Sequence, residues 1–156
     1  MTCRERLERY FRENGVKYQV QSHPEVYTAQ EVAAVEHVPG RLMAKVVMAM
    51  IDGTLTALVL PAPHRVEMPK VKAALRAKDA RLAREQEFAT VFTDCEVGAM
   101  PPFANLYQVP VVVDRALTED PTIVFNAGSH RETMTVTAAD FTRLVSPTVA
   151  EFSAPR

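Results

Sequence analysis

Leu42-Met43-Ala44-Lys45-Val46-Val47-Met48-Ala49-Met50-Ile51 is followed by Asp52-Gly53 and then by Thr54-Leu55-Thr56-Ala57-Leu58-Val59-Leu60. Two apolar runs flanking Asp-Gly are the strongest short-range hairpin signal, because both central residues of the tight turn need positive φ. A two-residue turn sets the register: Ile51 faces Thr54, Val47 faces Leu58 and Lys45 faces Leu60. Period-two alternation places Lys45 on one sheet face with Met43, Val47, Ala49 and Ile51, and Val46 and Met48 on the other. A cation on an apolar face must snorkel out, find a partner or do chemistry. A lysine that only guards a strand edge is the plain alternative.

Upstream of the hairpin, Leu7, Tyr10 and Phe11 predict a helix over 2–14, stopped by Asn14-Gly15. Residues 17–21 form a short strand candidate. Thr28-Ala29-Gln30-Glu31 is a capping box, with Tyr27 and Val32 placed for a hydrophobic staple, so a helix from Ala29 to about Glu36 is expected. Downstream, Pro61-Ala62-Pro63 ends the hairpin. Pro69 and the stripe Val71, Ala74, Leu75 predict a helix. Its continuation to Arg84 reads equally as one long helix or as helix, short strand near 81–83 and second helix. Phe88, Val91 and Phe92 give a helical face, and 94–108 is loop-like, with Gly98 and Pro101-Pro102 as punctuation. Runs 109–114, 122–126 and 132–136 are strand-like. Thr137-Ala138-Ala139-Asp140 starts a last helix that ends before Pro147, with a docked or frayed tail. About six strands with interspersed helices predict a mixed-sheet α/β (α+β) domain spanning 1–156.

The totals narrow the function. The chain has 156 residues, 47% hydrophobic and 24% charged, with formal charge −1. A polyanion would have to be bound by a local patch. Such a patch exists: residues 65–84 hold seven Lys or Arg against Glu67 and Asp79, and Lys70, Lys72 and Arg76 are its candidate phosphate contacts. A solvated basic face is the alternative. Two cysteines, Cys3 and Cys95, lack metal spacing, which points to free thiols in a reducing compartment. No signal peptide and no apolar run of roughly 18 residues is present, so a cytoplasmic protein without membrane attachment is expected. No histidine or cysteine spacing suits a metal, and no phosphate-binding or dinucleotide fingerprint occurs, so neither metal nor cofactor is expected.

Three sites remain. The loop Gly98-Ala99-Met100-Pro101-Pro102-Phe103 is rich in rigid backbone and can present N–H groups to developing negative charge; a tight connection packed by Phe103 is the alternative. His130, after Asn126-Ala127-Gly128-Ser129, can orient a substrate or move a proton, or is a solvated turn residue. Cys95 is a thiol nucleophile only if a histidine meets it.

Tyr27-Thr28-Ala29-x-Glu31, Ala44-Lys45 in an apolar strand, Gly98-x-x-x-Pro102-Phe103 and Asn126-Ala127-Gly128 occur in this order over residues 3–150. The chain thereby resembles the YbaK/prolyl-tRNA-synthetase-associated family of aminoacyl-tRNA deacylases. The resemblance implies a bulged, barrel-like mixed sheet flanked by helices. It implies hydrolysis of the ester of a mischarged tRNA, with the tRNA acceptor end as partner and prolyl-tRNA synthetase as a candidate second partner. It places the functional lysine on Lys45, the glycine-proline loop on Gly98 to Phe103 and, by a weaker match, a histidine on His130. The family glycine after Pro-Phe is Ala104 here. Under this reading the catalytic set is Lys45, Gly98 and His130, and the substrate pocket is shaped by Tyr27, Thr28, Val47, Pro102, Phe103, Gly128 and Ser129. A small amino acid such as alanine on the proline tRNA is the expected substrate. A non-catalytic module that binds a nucleotide, amino acid or protein partner is the alternative.

Overall fold

Asp52 and Gly53 turn the central hairpin at φ 49° and 81° in the computed structural model, which describes residues 1–156. Strands β2 (Ala44–Ile51) and β3 (Thr54–Pro61) pair antiparallel with Ile51 opposite Thr54, Val47 opposite Leu58 and Lys45 opposite Leu60. The turn chemistry alone sets this register, and the alternation of the two strands agrees with it. Strand β5 (Ala80–Leu82) adds to the outer edge of β2, while β6 (Val111–Asp114) and β9 (Thr148–Ala150) continue from β3 in parallel.

A second sheet is built from β1 (Gln19–Ser22), β8 (Glu132–Thr137) and β7 (Thr122–Ser129), in that order and antiparallel. The β7–β8 register shifts between Asn126 and Ser129, which marks a bulge. A two-stranded ladder joins β4 (His64–Val66) to β10 (Ser153–Pro155). A parallel bridge from Met43 to Val124 ties the hairpin to the second sheet. The expectation of six strands in a barrel-like sheet is therefore corrected. There are ten strands, and they form open sheets of three, two and five strands. The extra strands β4, β5, β9 and β10 have three residues each, too short for periodicity to decide them.

Helix α1 (Cys3–Glu13) buries Leu7 and Phe11 against the main core. Helix α2 (Ala29–Val35) starts at the Thr28 capping box, in which the Thr28 Oγ1 accepts from the Glu31 N–H. The expected staple does not form, because Tyr27 is 62% exposed and its ring lies 4.8 Å from that of His130. The segment after Pro69 takes the broken alternative, with helix α3 (Met68–Leu75), β5 and helix α4 (Glu85–Phe88). Helix α5 (Ala138–Val145) is capped by Thr137, and the tail is docked: Phe152 is buried and Asp114 accepts the N–H groups of Phe152 and Ser153.

The two faces of β2 meet different cores. Ala44, Val46 and Met48 belong to the large cluster around Phe103, whereas Val47, Ala49 and Ile51 pack with Val71, Met68 and Leu75 of α3. Burial of these faces is the main stabilising term, at about 25 cal/mol per Å² of apolar surface. No helix is long and apolar enough to cross a membrane.

Candidate active site

A cavity of about 240 Å³ opens where β2 begins, between the N-terminus of α2, the Gly98 loop and the end of the chain. Lys45 lines it together with Thr28, Gly98, Met100, Asn126 and Arg156, among others. No Asp or Glu side chain lines this cavity. Burial, and secondly the positive charge of Arg156, hold the Lys45 ammonium below the usual lysine pKa. Lys45 is held there by strand pairing to Leu60, so its cationic head is placed by backbone and not by an ion pair.

The facing loop offers backbone donors. Gly98 sits at φ 86°, and neither its N–H nor that of Met100 has an acceptor within the protein. Both residues line the cavity. The loop is clamped from below: the Ala99 carbonyl accepts from the Gly128 N–H at 3.0 Å and the Gly128 carbonyl accepts from Glu96 at 2.8 Å. A cation and two N–H groups without protein acceptors, on residues that line one small polar cavity, are the equipment that can stabilise an oxyanion.

His130 does not enter this cavity. Its ring is buried, its Nε2 lies 2.9 Å from the Val97 carbonyl and its backbone N–H donates to Glu96 at 3.1 Å. Only an N–H satisfies a carbonyl, so Nε2 carries the proton and Nδ1 is left buried without a partner. The His130 side chain thus braces the Gly98 loop from behind. An added Cβ on Gly98 would lie 3.4 Å from His130 Cε1, so glycine answers both the positive φ and the close approach.

The structure gathers Lys45, Gly98 and Thr28 and separates the others. Val47 is turned to the opposite core, and its neighbour Val46 lines the cavity instead. The simple alternation argument fails here because the cavity lies at the strand's end, where residues from both faces reach it. Pro102 is buried and outside the lining. Phe103 is fully buried among Phe11, Phe125 and Phe141, with ring centroids 5.0–5.4 Å away, so it has no surface to give a substrate. Ala104 is equally buried and begins a short 3-10 turn, away from the cavity. Gly128 and Ser129 line a different cleft, beside Cys3 and Cys95. Tyr27 covers His130 from the solvent side. Cys95 meets Tyr107, Asp94 and Cys3 and no histidine, and the hydrogen bond to Cys3 together with burial pushes its thiol pKa up, so the thiol-hydrolase reading is corrected.

Lys70, Lys72 and Arg76 are exposed on and just after α3. Lys70 pairs with Glu67 at 3.6 Å, and Lys78 donates its backbone N–H to Asp52 at the hairpin tip. That tip is seven extended residues, about 23 Å, from Lys45. Val46, Asn126 and Arg156 are site residues that sequence reasoning missed. Asn126 had a signal, since it precedes the bulge; its side-chain oxygen is buried without a donor. Arg156 had none, because the three-residue ladder of β10 on β4 brings it in.

Residues 23–144 match the family model of the aminoacyl-tRNA editing domain. The chain is 24% identical over 153 residues to the multifunctional Ser/Thr-tRNA deacylase ProXp-y of Escherichia coli K12, covering 95% of this chain and 91% of that one. It superposes on the hypothetical protein APE2540 with a TM-score of 0.85 at 22% identity, over 95% of this chain and 99% of that one. A candidate trans-editing enzyme for prolyl-tRNA synthetase gives the same TM-score at 18% identity, over 99% and 98%. The structural likenesses establish the fold. The chain belongs to the aminoacyl-tRNA editing domain family and is a hydrolase of the aminoacyl-tRNA ester bond.

Proposed function

We propose that the Lys45 cavity holds the aminoacyl ester of a mischarged tRNA, with a small amino acid inside and the terminal adenosine at the mouth. The observation that carries this reading is that Lys45, a cation without an acidic side-chain partner, lines one cavity with Gly98 and Met100, whose N–H groups have no acceptor in the protein. A volume of about 240 Å³ falls below the roughly 300–1,000 Å³ of pockets that enclose drug-sized ligands, which supports a small amino acid without its nucleoside. Alanine, serine and threonine are the proposed class; the E. coli relative is named for Ser/Thr-tRNA, and Thr28 and Asn126 supply polar lining for a side-chain hydroxyl. The proline tRNA is the proposed acceptor.

Water adds to the ester carbonyl, the tetrahedral oxyanion forms, and the bond to the ribose oxygen breaks to release amino acid and tRNA. An aminoacyl ester is already activated, so positioning of water and stabilisation of the oxyanion suffice. Lys45 neutralises the developing charge, and the Gly98 and Met100 N–H groups donate to it. His130 is a positioning residue for the loop. Lys70, Lys72 and Arg76 contact acceptor-strand phosphates remote from the ester. The test is deacylation of Ala-, Ser-, Cys- and Thr-charged tRNA by the wild type and by Lys45→Ala. Turnover of at least one small-residue substrate that collapses in the variant is expected; equal turnover by both proteins would overturn the assignment.

A further inference from the structure

The chain's two cysteines lie 92 positions apart, yet both line one cleft of about 630 Å³ that Lys45 does not line. Cys3 is the first residue of α1, and its backbone N–H donates to the Asp94 carbonyl at 3.2 Å, so the chain at Cys3 runs directly beside Cys95. The two sulfurs and an Asp94 oxygen all lie within 4.8 Å of one another. The Tyr107 hydroxyl sits between the thiols, 3.5 Å from Cys3 Sγ and 3.3 Å from Cys95 Sγ, and donates to Asp94 at 2.6 Å. Gly128 leaves the room for this: a Cβ there would fall 2.3 Å from Cys3 Cβ and 2.5 Å from its Sγ.

We propose that Cys3 and Cys95 are an oxidisable thiol pair, converted by a peroxide into an intramolecular disulfide between the first turn of α1 and the segment leading to Gly98. The two sulfurs have separate roles. Cys3 is the attacking thiol: although buried, it lines the cleft, and the hydrogen bond from Cys95, then that from Tyr107, favour its thiolate against the opposing effects of burial and Asp94. The nearby Arg6, in the first turn of α1, adds a smaller favourable charge. Cys95 resolves. In the first step the Cys3 sulfur bonds to one peroxide oxygen as the O–O bond breaks, giving a sulfenic acid and one water. In the second, the Cys95 sulfur displaces the sulfenic oxygen as a second water. Two thiols are oxidised by two electrons, and one peroxide is reduced to two waters. Adjacent backbones at these positions suit the short Cα separation a disulfide requires.

The test uses the full chain and hydrogen peroxide, followed by alkylation, intact-mass measurement and peptide mapping. The expected product is lighter by two hydrogens, takes up no alkylating reagent, contains a cross-linked peptide joining residues 3 and 95, and reverts with dithiothreitol. Its thermal midpoint rises, because a long loop is closed in the unfolded chain. Cys95→Ser stops at a Cys3 sulfenic acid that dimedone captures, and Cys3→Ser leaves Cys95 alkylatable. Persistence of both thiols in the wild type overturns the proposal. So does independent addition of oxygen to each cysteine without a cross-linked peptide. The readouts do not involve deacylation, so this result is separate from the fate of the Lys45 assignment.

Discussion

Lys45 on β2 and Arg156, the residue after β10, line the same cavity although remote in sequence, and no Asp or Glu side chain lines it with them. Two like charges left facing each other at a concave site cost stability unless an anion is meant to join them. The developing oxyanion and the nearest phosphate of the acceptor end are the anions an aminoacyl-tRNA brings.

The first prediction concerns Lys45 itself. Replacing it with alanine removes the only side-chain cation on β2 and leaves the Leu60 pairing intact. Loss of one preorganised oxyanion partner typically lowers kcat about 10²–10³-fold. The Lys45→Ala protein is therefore expected to melt at or slightly above the wild-type temperature while its single-turnover deacylation rate falls by that factor.

Arg156 should separate the ester from the phosphate. Arg156→Ala is expected to weaken use of mischarged tRNA while leaving hydrolysis of an aminoacyl-adenosine lacking the phosphate unchanged. The log–log salt dependence of tRNA binding should become shallower by roughly 0.7, the contribution of one single-strand phosphate contact. An equal loss on both substrates would place Arg156 at the ester.

The same pair gives a pH signature. Burial, and secondly Arg156, hold the Lys45 pKa below its ordinary 10.5, so the active ammonium is lost on the alkaline side earlier than for a free lysine. Activity should fall as pH rises through this lowered pKa. In Arg156→Ala the falling limb of the rate profile should move to higher pH, because one of the two causes of the depression is gone. For stability the sign is opposite: the unfolded chain binds more protons at Lys45 in this window, so wild-type stability gains from this group as pH rises toward 10.5.

The hairpin was legible to the residue because Asp52-Gly53 is a local signal and the register follows from it. The Thr28 capping box was legible for the same reason. Phe103 shows where local reading stops: a phenylalanine after two prolines reads alike as pocket wall or core, and only the convergence of Phe11, Phe125 and Phe141 from three other segments decides. Val46 and Val47 exchanged roles for a related reason, since alternation names two faces but not where along the strand a cavity opens. Arg156 reaches the site through a pairing of two three-residue strands, which no periodicity can announce.

Gly98 joins conformation to function. An alanine there must hold φ near 86° and stand 3.4 Å from His130 Cε1. A left-handed conformation costs a residue with a Cβ about 1–2 kcal/mol. Gly98→Ala is expected to lose stability by about that amount in denaturant titration and to lose deacylation more steeply, because the shifted loop carries the N–H donors. His130→Ala should reproduce part of the activity loss without abolishing turnover at any pH, as befits a brace; complete inactivity with a well-ordered Gly98 loop would return His130 to the chemistry.

Glu36 provides the last prediction. Its carboxylate is 8% exposed and meets Thr133 Oγ1 at 2.8 Å and His23 Nε2 at 3.7 Å. Burial raises its pKa above the ordinary 4.5, against the smaller opposing effects of Thr133 and His23. The folded state therefore holds this proton more tightly than the unfolded chain does, and the stability this gives is full below about pH 4.5 and is lost as pH rises through the raised pKa. Glu36→Gln keeps an acceptor for Thr133 and never ionises. It should melt close to the wild type near pH 4.5 and higher at pH 7, by roughly 2–4 °C for each kcal/mol gained in a chain of this size. Parallel melting curves across that range would show that Glu36 is ionised at no cost, and that Thr133 and His23 compensate its burial fully.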